Sequence, residues 1–272
     1  MEPQLQRALE MLERTSRTFF IPIQRLPPGL IEAVASAYLC LRAIDEIEDH
    51  PSLECGTKEV LLRNISQTLQ ASAEEIQTGN LLITSDGYRE CLPEVSLQLV
   101  DWASLAPPDI APRIWDATAS MADRMADWAS CCWTITTQAD LDRYTFGVAG
   151  AVGLILSDLW AWYDGTKTDR TLAIGFGRGL QAVNIIRNHA EDLSRGVDFY
   201  PPGWDDLAMQ AYARQNLTKA SAYVQALPPG PALDFCKIPL VLAYGTLEAL
   251  AQGRIKLERS EVLRMLEENA CR

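Results

Sequence analysis

Apolar residues recur at three- and four-residue spacing along almost the whole chain, and alternating β-branched runs bounded by turns are scarce. This pattern predicts an all-α protein, a single helical bundle. Pro27, Pro28 and Gly29 break the chain ahead of a long helical segment through Asp49. Within it Ile31, Val34, Tyr38, Leu41 and Asp45 share one face. His50 and Pro51 end that helix. Further helices are predicted over 58–78, 109–129, 138–163, 170–193, 204–225, 233–251 and 259–270, separated by Pro, Gly and Asp. Segments 79–93 and 196–203 read as loops, neither long nor biased enough for an interdomain linker, so one domain over 1–272 is expected.

Composition narrows the partners. The 272 residues include 24 basic and 36 acidic side chains, a formal charge of −12, which gives no overall attraction to nucleic acid or an anionic bilayer. An anionic ligand must therefore be held by local cations. The apolar stretches around 147–156 and 238–247 are interrupted by polar residues before the roughly 20 residues that a membrane span needs. No span is expected, and no basic amphipathic stretch argues for more than transient contact with a membrane. Seven cysteines without a CxxC pair read as reduced thiols of a cytoplasmic enzyme. Two histidines leave little for a histidine-based zinc site or a Ser-His-Asp hydrolase.

Two acidic clusters carry the candidate chemistry. In the first, Asp45, Glu48 and Asp49 stand at i, i+3 and i+4 at a helix C-terminus. Like charges packed there are unfavourable unless a cation joins them, because the helix end is already partly negative. Mg²⁺ suits such a site, since it takes one or two carboxylates and completes its shell with water and substrate phosphate; a solvated acidic helix end is the plain alternative. In the second cluster Asn184, Asn188 and Asp192 recur every fourth residue with Glu191 beside the last. By itself such a stripe is more often a solvent-facing helix surface. Facing each other in a bundle, the two stripes would clamp a diphosphate through bridging Mg²⁺.

Five segments, in order, resemble the squalene/phytoene synthase family. Ser16 to Phe19 resembles its N-terminal SR(S/T)F segment, and Tyr38 to Asp49 its first aspartate-rich motif. Tyr144 to Gly153 resembles its YxxxVAGxVG helix, and Asn184 to Asp192, with Gly196 and Pro201, its second motif. Phe235 to Pro239 resembles the FCxIP segment of squalene synthases. The resemblance covers about residues 15–260 and is closer to the squalene than to the phytoene branch.

It implies a helical bundle around a deep cavity and a head-to-head condensation of two farnesyl diphosphates to presqualene diphosphate, then squalene or a related C30 product. It assigns Asp45, Asp49, Asn188 and Asp192 to Mg²⁺, with Glu48 and Glu191 either at the metal or orienting its ligands. Arg17, Arg42 and Arg187 would bind phosphate oxygens. Ser16, Thr18, Gln181, Asn184 and Phe235 would complete the substrate site. Tyr38, Tyr144 and Arg42 are the catalytic candidates: a ring face stabilises a cation, and a phenol can transfer a proton. Phe146, Leu154, Leu240 and Tyr244 are candidates for the apolar wall. Glycines 147, 150 and 153 imply that a helix or an isoprenoid tail approaches closely.

The sequence departs from the family pattern at four places. Asn188 replaces an aspartate, Val197 an arginine, and His50 an acidic residue, while Glu258 interrupts the basic Lys256 to Arg259 stretch associated with NADPH. Reduction by NADPH is therefore left open. So are a class I terpene cyclase acting on one prenyl diphosphate, whose metal triad has the spacing of Asn184, Asn188 and Asp192, and a non-catalytic isoprenoid-binding relative.

Overall fold

A computed structural model describes residues 3–71, 74, 76, 83, 86–255, 257–258, 260–262 and 264–265, with the side chains of Arg17 and Asp86 outside that description. Helices dominate and no strand occurs among the described residues, as the apolar spacing predicts. The chain divides into two compact units, Met1–Trp133 and Thr134–Arg272.

The first unit contains α1 (Pro3–Thr15), α2 (Arg17–Ile23), α3 (Leu30–Glu48), α4 (Cys55–Leu69), three short helices α5 (Asp86–Arg89), α6 (Glu94–Leu97) and α7 (Leu99–Ser104), and α8 (Ala111–Ser130). Helix α3 starts where Gly29 takes a φ of +86°, a conformation glycine adopts without a Cβ clash, and Glu32 accepts the Gly29 N–H at 2.6 Å. From Leu30 to Ile47 its apolar residues are buried except Tyr38 and Leu41, which are half-buried, and α1, α4, α6, α7 and α8 pack on it. Two buried hydroxyls fix its register. Ser36 donates to the Trp102 carbonyl at 2.7 Å, and Ser96 donates to the Ala43 carbonyl at 2.8 Å. Helix α4 packs along α8, where Ser66 and Arg63 both bind Asp123, at 2.8 and 3.0 Å. After α8, Cys132 and Trp133 adopt φ values of +47° and +50°. Left-handed backbone costs a non-glycine residue roughly 1–2 kcal/mol, so other contacts must hold this turn.

The second unit contains α9 (Gln138–Thr145), a single π-helical turn (Phe146–Gly150), α10 (Ala151–Asp164), α11 (Arg170–Ser194), α12 (Asp206–Ala226) and α13 (Pro231–Ala251). Helix α11 is its hub, packing on all the others. Glycine makes that possible. A Cβ on Gly153 would lie 2.0 Å from the Ala173 carbonyl oxygen, and one on Gly177 would lie 2.0 Å from that of Ala149. The small residues of the Tyr144 to Gly153 segment thus admit a neighbouring helix.

One expectation is corrected. Gln138–Asp164 forms 27 consecutive helical residues, long and apolar enough by length and composition to cross a membrane. Thr145 and Ser157, the polar interruptions, turn their hydroxyls back onto the Leu141 and Gly153 carbonyls and leave the helix unbroken. More than half of its most apolar stretch is buried, 56%, and it packs on α11 as a core helix does. Other boundaries also differ. The 58–78 helix starts at Cys55 and ends at Leu69, α1, α2, α6 and α7 lie where no helix was predicted, and the short α5 falls within the 79–93 segment read as a loop. Most of 259–270, with Cys271, lies outside the described residues.

Candidate functional site

The first acidic cluster closes α3. Its members differ in exposure. Glu48 turns inward and is 3% exposed, with its Oε1 accepting the Trp133 indole N–H at 2.7 Å. Lys58 donates to the Glu48 backbone carbonyl at 2.6 Å and lies 4.8 Å from the centre of the Trp133 ring. This lysine satisfies one of the carbonyls that a helix C-terminus leaves without a partner. Asp45 is half-buried and Asp49 is exposed. Arg42 bridges Asp45, at 2.6 Å, and Glu46, so a cation from the preceding turn already partners the cluster.

The electrostatics record the crowding. Desolvation first, and the Asp49 charge second, push the Asp45 carboxyl up to about 7 against the opposing pull of Arg42. The same two causes push Glu48 well above the ordinary carboxylate range, although Trp133 and Lys58 act in the other direction. Both groups therefore bind a proton more tightly in the folded chain than in the unfolded one. For Asp45 the resulting stabilisation is complete below its ordinary value of 3.8 and is lost as pH rises through about 7. In chelator, the thermal midpoint of the wild type relative to Asp45→Asn should fall between about pH 4 and about pH 7. A constant difference across that range would show that Asp45 carries no such strain.

Tyr38, one turn ahead of Arg42, is half-buried, and its ring tilts against Phe19 with centroids 5.2 Å apart. Enclosure pushes its hydroxyl up to about 12, opposed by a hydrogen bond with Ser16. Ser16 also caps α2, accepting the Phe19 N–H at 3.4 Å. The structure thus brings Ser16, Tyr38, Arg42 and Asp45 into one neighbourhood at the α2–α3 contact. Thr18 is exposed, and the Arg17 side chain lies outside the described residues.

The second cluster lies in the last turns of α11. Asn184 and Asn188 are half-buried along the stripe, and Asp192 is 4% exposed, paired with Arg195 at 2.5 Å. Arg187 is exposed and donates from Nε to Asn188 Oδ1 at 3.1 Å; desolvation lowers its pKa against the Glu191 charge. Glu191 is exposed and Gln181 half-buried. The loop after α11 folds back on the helix. His189 stacks on Tyr200, with ring centroids 3.8 Å apart, and Tyr144 is buried and stacked on Phe199 at 4.5 Å. Phe235 is core, packed against Trp160. Leu240 is buried, whereas Phe146, Leu154 and Tyr244 are half-buried.

Sequence reasoning missed Trp133 and Lys58, the anchors of Glu48, and Phe199, the platform of Tyr144. No local pattern marks them. The indole and the carboxylate it holds are 85 residues apart.

The donors fit Mg²⁺ by chemistry. They are hard carboxylate and amide oxygens; the Asp45 carboxyl is raised first by burial and then by the Asp49 charge, the second of which a divalent cation would offset. Among the described residues no three His, Cys, Asp or Glu side chains gather closely enough to form an all-protein metal cage. A hard cation completed by water and phosphate does not require one.

Residues 12–204 match the squalene/phytoene synthase family. The chain belongs to that family. The matched stretch contains both acidic clusters of this squalene/phytoene synthase relative. The squalene synthase of Eremothecium gossypii is 32% identical over 95% of this chain, and that of Schizosaccharomyces pombe 28% identical over 96%. The chain spans 65% and 64% of the length of those two proteins. Among solved structures, the complex of TcSQS with the ligand E5700 superimposes with a TM-score of 0.80 at 25% identity, covering 97% of this chain and 85% of that one. A dehydrosqualene synthase in complex with a ligand, 16% identical with a TM-score of 0.62 over 98% of this chain and 95% of the other, shares the all-α fold.

Proposed function

We propose that this protein is a prenyltransferase that joins two farnesyl diphosphates head to head through Mg²⁺-dependent loss of diphosphate, giving presqualene diphosphate and then a C30 product. The observation that carries the reading is the family match across both acidic clusters, with Asp45, Asp49 and Asp192 all in place.

Asp45 and Asp49 in the first unit, and Asp192 with the amide oxygen of Asn188 in the second, are the residues that would hold Mg²⁺, which when bound supplies positive charge to a diphosphate leaving group. Arg42 and Arg187 carry the charge for phosphate oxygens, joined by Arg17 and the Ser16 and Thr18 hydroxyls. Arg42 has a second task, pairing with Asp45 and moderating the repulsion around it. Glu48 acts as a positioning residue: anchored on Trp133, it fixes the last turn of α3 and so aims Asp45 and Asp49. Burial pushes the Tyr38 hydroxyl up to about 12, which favours its protonated form at neutral pH. Its ring and that of Tyr144 offer π faces to a carbocation. Gln181, Asn184 and Phe235 remain assigned to substrate, and Glu191 to orienting ligands or waters. No reductive step is assigned, because Lys256 and Arg259, on which NADPH binding would rest, lie outside the described residues.

Farnesyl diphosphate should release diphosphate in the presence of Mg²⁺ and not in chelator. No release from any prenyl diphosphate between C10 and C20 would favour a non-catalytic isoprenoid-binding protein instead.

A further inference from the structure

The first unit holds a pair of sulfurs that the proposed chemistry does not use. Cys55 is the first residue of α4 and is half-buried; Cys132 is exposed in the left-handed turn that follows α8. Their Sγ atoms are 2.7 Å apart, with the Cys132 thiol donating to Cys55 Sγ. The neighbouring Cys131 directs its thiol elsewhere, donating to the Trp128 carbonyl at 3.3 Å. The turn that brings Cys132 to Cys55 uses the two non-glycine residues of positive φ among the described residues, Cys132 and Trp133. An unfavourable backbone maintained at two successive positions indicates that both side chains are placed deliberately. Trp133 is placed on Glu48, and Cys132 is placed on Cys55.

We propose that Cys55 and Cys132 form a reversible thiol–disulfide site that takes a small-molecule disulfide of the glutathione class as oxidant. The half-buried Cys55 lies against the exposed Cys132, so a small disulfide can reach the pair from solvent. One protein thiol loses its proton and attacks the small disulfide, forming a mixed disulfide and expelling one small thiolate. The second protein thiol, deprotonated in turn, attacks the mixed disulfide and expels the other thiolate. The Cys55–Cys132 bond replaces the small molecule's S–S bond. The two protein sulfurs are oxidised by two electrons, and the protons leave with two small thiols. The bond ties the start of α4 to the end of α8 and closes a long loop, with positions 77 apart in sequence. Crosslinking so long a loop restricts the unfolded chain strongly. The inference does not depend on the proposed prenyltransferase activity.

The test is to equilibrate the full-length protein with oxidised glutathione, block the remaining thiols with an alkylating reagent, and map disulfides by mass spectrometry without reduction. One intramolecular Cys55–Cys132 bond is expected, with a rise in thermal midpoint of about 5 °C that dithiothreitol reverses. Cys55→Ser should lose both effects while keeping the helical circular dichroism of the reduced wild type, and Cys131→Ser should keep both. Glutathione retained on single cysteines, a Cys131–Cys132 bond, crosslinks only between molecules, or persistence of the effects in Cys55→Ser would each overturn the proposal. Cys132→Ala gives a second check should Cys55→Ser fail to fold, because it too must abolish the bond and the shift.

Discussion

Asp192→Ala and Asp45→Ala are each expected to lower the rate of diphosphate release from farnesyl diphosphate by about a thousandfold or more, the scale on which loss of a group stabilising developing charge is felt. The two carboxylates start from different states. Asp192 is buried and held by Arg195, so alanine also removes that ion pair. Asp45 is half-buried, crowded by Asp49 and bridged by Arg42. A merely structural Asp192 would reduce stability and helix content together with rate, whereas a metal ligand reduces rate in a folded protein. Asp192→Asn separates the cases. It keeps the volume and one oxygen but removes the charge, so it should preserve folding, measured by circular dichroism, and still lose most of the rate. Steady-state rates within about tenfold of wild type in either alanine variant would take that residue out of the proposed site.

The largest expected effect on stability lies at Trp133. Its indole is buried, donates to the Glu48 carboxylate and lies under Lys58. Trp133→Ala removes a large core side chain and leaves a buried acid without its donor, a loss of about 3–5 kcal/mol in chemical denaturation. Trp133→Phe retains most of the packing and removes only the N–H, for which about 1–3 kcal/mol is expected. Because Glu48 ends the helix that carries Asp45 and Asp49, the phenylalanine variant should also weaken Mg²⁺-dependent activity without unfolding the protein. Equal stability of Trp133→Phe and wild type would mean that the indole hydrogen bond contributes nothing.

These two sites illustrate how much the sequence discloses. Helix α3 is legible because its apolar spacing runs unbroken between Gly29 and Pro51, and α11 because its polar stripe and its stop are both local. The amphipathic period of α1, with Leu5, Leu9 and Leu12 buried, is equally present in the sequence. The inward turn of Glu48 is not legible. Spacing places it beside Asp45 and Asp49 within one turn, and only a distant tryptophan decides which way it points. The π-helical turn at Phe146–Gly150 is equally hidden, since it adds no residue type that an α-helix would lack. The glycines near it are legible as close approaches, and the structure identifies the approaching group as α11.

The most direct measurement is the carbon count of the product. The protein is incubated with farnesyl diphosphate and Mg²⁺, with and without NADPH, and the products are extracted and identified by mass spectrometry. The account predicts a C30 compound, as a diphosphate or a hydrocarbon. A C15 hydrocarbon or alcohol as the sole product would contradict it and assign the protein to enzymes that ionise a single prenyl diphosphate.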